Sequence, residues 1–411
     1  MKNQEEAYWA ISEMKNQNLV SEEDTSIIFQ SWNALDKNLS HLNMAFQDFN
    51  ALHCVAIKTN PQKGVLKRIV DLGFGLEAAS IEEIEMAFSV GISPSKLVFD
   101  SPVKTRREIL RCHTEFQGII VNVNSLDELK RIPKNPNFEL GLRINPLKSS
   151  DSPEIYDVSS KESKFGVPID DEENILKAIL DYPITLIHVH IGSSLSDIEK
   201  STNSLRDVFE LIVRANKLLG DFKINRKIDA FDIGGGLKAE LLNKEENSLM
   251  MKYAKMLEKK IPELKDYKII TEFGQWVHFH TGYCWSTIEY VVCKNSKQIL
   301  FTHLGADFFL RDAYTTPREL EFHLISKENK ENMELKQTDI AGPLCFAGDY
   351  IARDISFNKS NEGDELLIIG TGSNTYGLWS RHCSRTIPKI VAVDFKNKSL
   401  QLLSNRTKIN F

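Results

Sequence analysis

No excess of positive charge marks this chain of 411 residues: 51 Lys+Arg face 57 Asp+Glu, for a net charge of -6. That balance removes the electrostatic case for a nucleic-acid or anionic-membrane partner. No run is long and apolar enough to span a bilayer. The opening Met1-Lys2-Asn3-Gln4-Glu5-Glu6 is polar and acidic, so no secretory signal is expected. The six cysteines, Cys54, Cys112, Cys284, Cys293, Cys345 and Cys383, never form a CxxC pair. Neither a disulfide framework nor a zinc ribbon is therefore indicated, and a reducing cytoplasm is the expected location. Internal repeats and low-complexity tracts are also missing.

What is present is a long alternation. Residues 1 to about 27 read as a polar lead-in, followed by a helical stretch from Ile27 to about Asp48. Apolar runs then recur at Cys54–Lys58, Gly75–Ala79, Leu97–Ser101, Gly118–Val123, Leu140–Asn145, Thr185–Gly192, Ile228–Gly234 and Tyr267–Gly274. Amphipathic segments of helical spacing separate them, for example Arg106–Cys112 and Leu205–Leu219. Near-continuous apolar strands alternating with helices predict an α/β fold with a parallel sheet covered by helices. Eight such units match a (β/α)8 TIM-like barrel over residues 28–280. A doubly wound open sheet is the alternative, but it would want a Gly-rich turn after the first strand, and none is there. Beyond about His280, Tyr283–Val292, Gln298–Thr302, Leu320–Ser326, Glu365–Thr371 and Lys389–Asp394 are rich in β-branched and aromatic residues. They predict an antiparallel β domain built from residues 281–411 together with 1–27. Lys327–Lys336 and Asn358–Asp364 read as polar loops.

Function in a barrel collects at the carboxyl ends of the strands. The polar residues there are Lys58 on strand one, Glu77 on two, Arg143 on five and His190 on six, with Asp232-Ile233-Gly234-Gly235-Gly236 ending seven and Glu272-Phe273-Gly274-Gln275 ending eight. Singly, each has a bland reading: a buried ion pair, a core histidine, a tight turn. Together they would place acids and bases at one rim with desolvation costs and no purpose. Three glycines after strand seven expose backbone N–H groups and suit a phosphate. A rim lysine can form a Schiff base, a carboxylate can face a ring nitrogen, and an imidazole can stack on a ring. Those are the needs of pyridoxal phosphate.

On these residues the chain resembles the fold-type-III pyridoxal-phosphate decarboxylases, the ornithine/diaminopimelate/arginine decarboxylase family. Ala56-Ile57-Lys58-Thr59-Asn60-Pro61 resembles that family's Schiff-base lysine motif. Ser163-Lys164-Phe165-Gly166, His190-Ile191-Gly192-Ser193, the Asp232–Gly236 run and Gly342-Pro343-Leu344-Cys345 with Asp349 after it follow in the family's order. The resemblance implies an amino-acid decarboxylase in which Lys58 carries the cofactor and His190 stacks on its ring. It implies that Ser193 and the backbone of Gly234, Gly235 and Gly236 hold the phosphate, beside Gly274. It further implies that Glu272 bonds the pyridine nitrogen and that Glu77 and Arg143 line the ring's edge. Cys345 is then the proton donor and serves the partner subunit's site, in a head-to-tail homodimer.

Three departures accompany the resemblance. Phe346 stands where the family carries an acid that grips a distal amine, so a simple diamino substrate is disfavoured. Gln275 stands where an arginine is usual, and Asn374 where a tyrosine is usual, unless Tyr376 substitutes for it. Arg311, Arg381, His382 and Arg385 are cations that could bind an acidic substrate tail, and Asp349 and Arg311 join Phe346 as expected substrate contacts. Two rival readings remain at this point. One is a cofactor-binding regulatory homologue with impaired catalysis. The other is a metal-dependent barrel hydrolase using His188-Val189-His190 and His278-Phe279-His280.

Overall fold

The structure, a computed structural model, describes residues 2–240, 248–315, 317–326 and 334–407. It comprises two units, Asn38–Val277 and Met1–Lys37 with His278–Phe411.

In the first unit eight parallel strands close into a barrel: Asn50–Ala56, Gly75–Ala78, Leu97–Phe99, Ile120–Val123, Glu139–Asn145, Ile184–His188, Ala230–Asp232 and Lys268–Thr271. Each pairs with the next, and the eighth pairs with the first, Lys268 opposite Asn50. All eight expected runs are present, and closure replaces the open-sheet alternative. Most helices between them start on side-chain caps, Glu172–Asp181 being an exception. The Ser80 hydroxyl accepts from the Glu83 amide, and Thr105 and Glu108 form a reciprocal capping box.

Strand alternation explains what fills the barrel. Cys54, Val98, Ile120, Leu186, Ala230 and Ile270 form one buried apolar cluster. Two residues further along each chain, on the same face, stand Ala56, Asp100, Asn122, His188, Asp232 and Glu272. Glu77 and Arg143 take the same register on the second and fifth strands. The interior thus changes from apolar to polar within a single side-chain layer. Gly141 makes room for this layer, since a Cβ there would stand 2.1 Å from the Asn122 side-chain oxygen.

The second unit is a mixed nine-stranded sheet, not a purely antiparallel one. Ser26–Ser31 runs antiparallel to Gly282–Lys294 but parallel to Lys389–Asp394, and Lys297–Thr302 runs parallel to Leu335–Ala341. The expected helix from Ile27 therefore begins with a strand and becomes helical only at Trp32–Ala45. Buried Ile27, Ile28 and Phe29 suit a pleated surface packed on both faces. This moves the division between the units to residues 37/38 and 277/278 from the expected 27/28 and 280/281. The polar lead-in is in fact a helix, Lys2–Asn16. Its Ala7, Ala10, Ile11 and Met14 recur at helical spacing and pack on Ile27, Phe29, Tyr283 and Trp285. Of the expected loop Lys327–Lys336, residues 327–333 lie outside the described residues, and Leu335 and Lys336 begin a strand. No described helix is long and apolar enough to cross a membrane.

Candidate active site

The first barrel strand ends at Ala56, and a 3-10 turn, Ile57–Thr59, carries Lys58 beyond it. The Thr59 hydroxyl donates to Ala56 O at 2.7 Å and pins that turn. Lys58 leans inward and donates to Glu77 Oε2 at 2.6 Å. Glu77 is fully buried, whereas half of the Lys58 side chain is exposed. Burial opposes the lysine's charge, but Glu77 and then Glu272 hold the ammonium above its ordinary pKa.

Behind this pair lies the buried polar layer. Arg143 Nη1 donates to Asp100 Oδ2 at 3.2 Å, and the guanidinium stacks 4.4 Å from the Phe165 ring centre. His188 spans the cavity, its Nδ1 lying 3.4 Å from Asp100 and its Nε2 3.7 Å from Glu272. Asn122 donates to Asp232 Oδ2 at 3.2 Å, and the Gly234 amide donates to Asp232 Oδ1 at 3.0 Å. Although burial would raise Asp100, His188 and Arg143 hold it well below the usual carboxylate range. Glu272 goes the other way: burial, with Asp232, Glu77 and Asp100 adding to it, pushes its carboxyl well up. Glu272 Oε1 is buried with no hydrogen-bond partner among the described residues.

At the rim, His190 lies half-buried with its Nδ1 3.9 Å from Glu272 Oε2. Burial, reinforced by Arg143 and Lys58, pulls its pKa well below the ordinary value and keeps the ring neutral. Its Nδ1 accepts from the Gly235 amide at 3.3 Å. The Gly234–Gly236 turn is threaded between neighbours: a Cβ on Gly235 would stand 2.3 Å from Glu272 O, and one on Gly236 2.0 Å from Gly192 O. Ser193 is held by Ser152, whose hydroxyl donates to Ser193 O at 2.7 Å and accepts from its amide at 2.8 Å. Gly274 lets the last strand's turn press on Thr59, 2.7 Å from where a Cβ would be. Gln275 donates to the Ser194 hydroxyl at 3.1 Å.

These surroundings fit pyridoxal phosphate on two counts. Four carboxylates, of Glu77, Asp100, Asp232 and Glu272, share the cavity with two full cations, Lys58 and Arg143. The excess acid and the unpartnered Glu272 oxygen both suit a protonated ring nitrogen. The glycine turn beside Ser193 brings backbone without side chains toward the rim at Gly236, whereas the Gly234 and Gly235 amides are buried and already donate to Asp232 and His190. The sequence singled out Lys58, Glu77, Arg143, His190 and Glu272, and all belong to this one cavity of the barrel unit. It gave no role to Asp100, Asn122 or Asp232. The signal was there: each lies two positions beyond an apolar inward residue. Asp100, His188 and Glu272 do offer ligand atoms within 4.8 Å of one another, as a metal site would, but Asp100 is already engaged by Arg143.

The remaining expected site residues belong to the β unit. Cys345 is exposed. Phe346 stacks face to face on Tyr314, ring centres 5.0 Å apart and planes 4° from parallel. Gly348 makes room for that ring, since a Cβ there would meet Phe346 at 2.4 Å. Asp349, expected as a substrate contact, is buried and turned onto backbone: it accepts from the Ala306 amide at 2.5 Å and the Leu344 amide at 2.6 Å. It shapes the loop that carries Cys345. Arg311 is buried on the short helix Leu310–Tyr314. Arg385 is held by Asp307 at 3.0 Å and His303 O at 2.7 Å, so it is not a spare cation. Asn374 adopts a left-handed φ of 53°, which asparagine tolerates better than tyrosine. Tyr376 packs against the unit's apolar core.

Residues 33–278 match the model of the pyridoxal-dependent decarboxylase pyridoxal-binding domain, and residues 276–372 that of the pyridoxal-dependent decarboxylase C-terminal sheet domain. A diaminopimelate decarboxylase of Aquifex aeolicus is 25% identical over 395 residues, covering 94% of this chain and 90% of its own length. One from Haemophilus influenzae is 26% identical over 391 residues, 93% of this chain and 91% of its own. Among solved structures, diaminopimelate decarboxylase from Helicobacter pylori complexed with L-lysine superposes with a TM-score of 0.83 at 24% identity, covering 95% of this chain and 96% of that one. The arginine decarboxylase of Paramecium bursaria Chlorella virus gives a TM-score of 0.79 at 18% identity, covering 93% and 99%. At those identities the two structures speak for the fold alone.

Proposed function

The chain belongs to the pyridoxal-dependent decarboxylase family and is an amino-acid decarboxylase that uses pyridoxal phosphate, and on that premise we propose that its substrate is an amino acid whose far end is not a simple amine. The observation that carries the proposal is the Phe346–Tyr314 stack. The stack brings no carboxylate to this position, and a desolvated ammonium without a counter-ion is costly. The curated relatives named above act on diaminopimelate, by their names, which carries an amine at each end. A neutral or acidic far end is the substrate class that this position favours.

Within the barrel we assign Lys58 to the cofactor's aldehyde carbon, Glu272 to its ring nitrogen and His190 to its ring face. Glu77 and Arg143 take the ring's edge. Ser193, Gly234, Gly235, Gly236, Gly274 and Gln275 surround its phosphate. Bound there, pyridoxal phosphate supplies an aldehyde for the substrate amine and a ring that accepts the electron pair freed as CO2 departs. Glu77 orients the Lys58 amine and holds its proton until the amine is needed. Glu272, buried and short of partners, keeps a proton at the ring nitrogen, which strengthens electron withdrawal. Neutral His190 can lie against a ring without adding charge. Cys345 delivers the proton that replaces the carboxylate. We assign Cys345 to the partner's site in a homodimer, because it is exposed on its loop while Asp349 beneath it fixes the loop backbone.

The test is product analysis by mass spectrometry after incubating the chain and pyridoxal phosphate with a broad amino-acid panel. Turnover of acidic or conjugated amino acids ahead of lysine, ornithine and diaminopimelate is the expected result. Preference for any of those three diamino acids rejects the substrate reading and leaves the family intact.

A further inference from the structure

The loops after the sixth, seventh and eighth barrel strands are laced together at the rim. Leu195 donates to Gly236 O at 2.8 Å, and its own carbonyl accepts from the Lys238 amide at 2.8 Å. The Glu272 amide donates to Gly234 O at 2.7 Å. The glycine turn is thereby fixed between two flanking loops. Ser194 stands on one flank and Gln275 on the other, both half-buried, and Gln275 Nε2 reaches across to Ser194 Oγ at 3.1 Å.

Counting donors shows what this contact leaves over. A primary amide has two N–H groups, and Gln275 uses one on Ser194. The Ser194 hydroxyl accepts that bond and keeps its own O–H to give away. Among the described residues neither side chain makes another hydrogen bond. Ser194 also holds φ at 60°, a region that glycine enters more easily. A serine kept there brings a hydroxyl to the turn at some conformational cost. Two spare donors therefore flank the Gly234–Gly236 turn, with no charge on either residue.

We propose that Ser194 and Gln275 are a charge-neutral pair of phosphate ligands for the cofactor, replacing the cation that the family resemblance leads one to expect at position 275. The inference rests on the cofactor assignment and on the placement of its phosphate at the Gly234–Gly236 turn. It assigns a binding role to Ser194 and changes the sense of Gln275 from a lost contact to a substituted one. The phosphate is then recognised through hydrogen bonds, so its contribution to affinity depends only weakly on salt.

The full chain, freed of cofactor, is titrated with pyridoxal phosphate and separately with pyridoxal, following the absorbance of the bound aldehyde. Ser194→Ala, Ser194→Gly and Gln275→Ala are each expected to weaken pyridoxal phosphate binding roughly tenfold or more, as for a hydrogen bond to a charged group, while pyridoxal binding stays unchanged. Gln275→Arg is expected to tighten pyridoxal phosphate binding and make it fall with added salt. Retained pyridoxal binding also reports that each variant is folded. If the variants lose both ligands equally, or lose neither, the pair is only a loop clamp and the proposal is overturned. A wild-type chain that takes up neither aldehyde overturns the cofactor assignment and this inference with it, so the two failures read differently.

Discussion

The Lys58 ammonium lies 2.6 Å from a Glu77 carboxylate that is wholly buried, although half of the lysine side chain itself is exposed. Glu77 is the largest of the influences that raise the Lys58 pKa, acting against burial. The substitution Glu77→Gln would remove the opposite charge and keep the burial, so the lysine's pKa must fall. Capture of the aldehyde requires the neutral amine. The pH profile for pyridoxal phosphate uptake by this variant should therefore move about one to three units toward acid. An unmoved profile in stopped-flow absorbance would show that Glu77 does not control the amine.

Glu272 presents a different case, because it has acidic neighbours and an oxygen without a hydrogen-bond partner among the described residues. Glu272→Gln keeps the shape and cannot hold a proton on the ring nitrogen by charge. Cofactor should still bind, while kcat should drop by about 10²–10³, the size seen when one preorganised electrostatic contact is lost. Steady-state kinetics on cofactor-saturated enzyme measures this, and an unaltered kcat would remove Glu272 from the chemistry.

Cys345→Ala should keep cofactor and lose about 10²–10⁴ in rate, as for loss of a general acid. If sites are shared across a homodimer, an inactive Lys58→Ala chain and an inactive Cys345→Ala chain complement each other. Mixed and re-associated, they should recover about a quarter of the wild-type activity, since half of the dimers are mixed and each of those has one intact site. No recovery, with mixed dimers verified by mass, would put Lys58 and Cys345 of the same chain in each site.

Phe346→Glu should open the site to a distal ammonium. The expected result is a gain of roughly tenfold or more in kcat/KM for diaminopimelate or lysine, from a charge-assisted contact, with a matching loss on the native substrate class. The ratio of kcat/KM values across the same panel reads it out.

The β unit carries its own pH dependence. Glu6, on the helix Lys2–Asn16, is pushed up to about 7 by burial, with Ser31 and Lys398 opposing the rise and Asp394 adding to it. Between its ordinary 4.5 and about 7 the folded chain keeps this proton while the unfolded chain releases it. Stability therefore falls as pH rises through that window, by on the order of 3 kcal/mol from this group. Glu83 in the barrel unit, also raised to about 7 by burial, adds a slope of the same sign. Glu6→Gln should flatten the decline without abolishing it, as measured by urea unfolding on either side of the window.

How far the residues spoke for themselves differs from element to element. The eight barrel strands were legible because each is buried on both sides and reads as an apolar run bounded by turns. Ser26–Ser31 was not, since a short apolar run next to a helical stretch has no period of its own. Its identity as a strand comes from partners at Gly282–Lys294 and Lys389–Asp394, more than 250 positions away. Leu335–Ala341 and Tyr350–Asn358 escaped for the same reason, as half-exposed strands whose alternation breaks at irregular pairings.

Chemistry followed a similar division. Residue types at strand ends and the three glycines are local facts, and with the family resemblance they sufficed for the cofactor; the replacement of an acid by Phe346 is equally local and is what the proposal against a diamino substrate starts from. The sequence by itself determined which groups could react. Only the tertiary structure decided that Asp100, Asn122 and Asp232 join them, that Tyr314 backs Phe346, and that Asp349 serves the backbone. The reason is that hydrogen bonds and stacking act over a few ångströms, and barrel closure brings to that range residues whose separation along the chain carries no record of it.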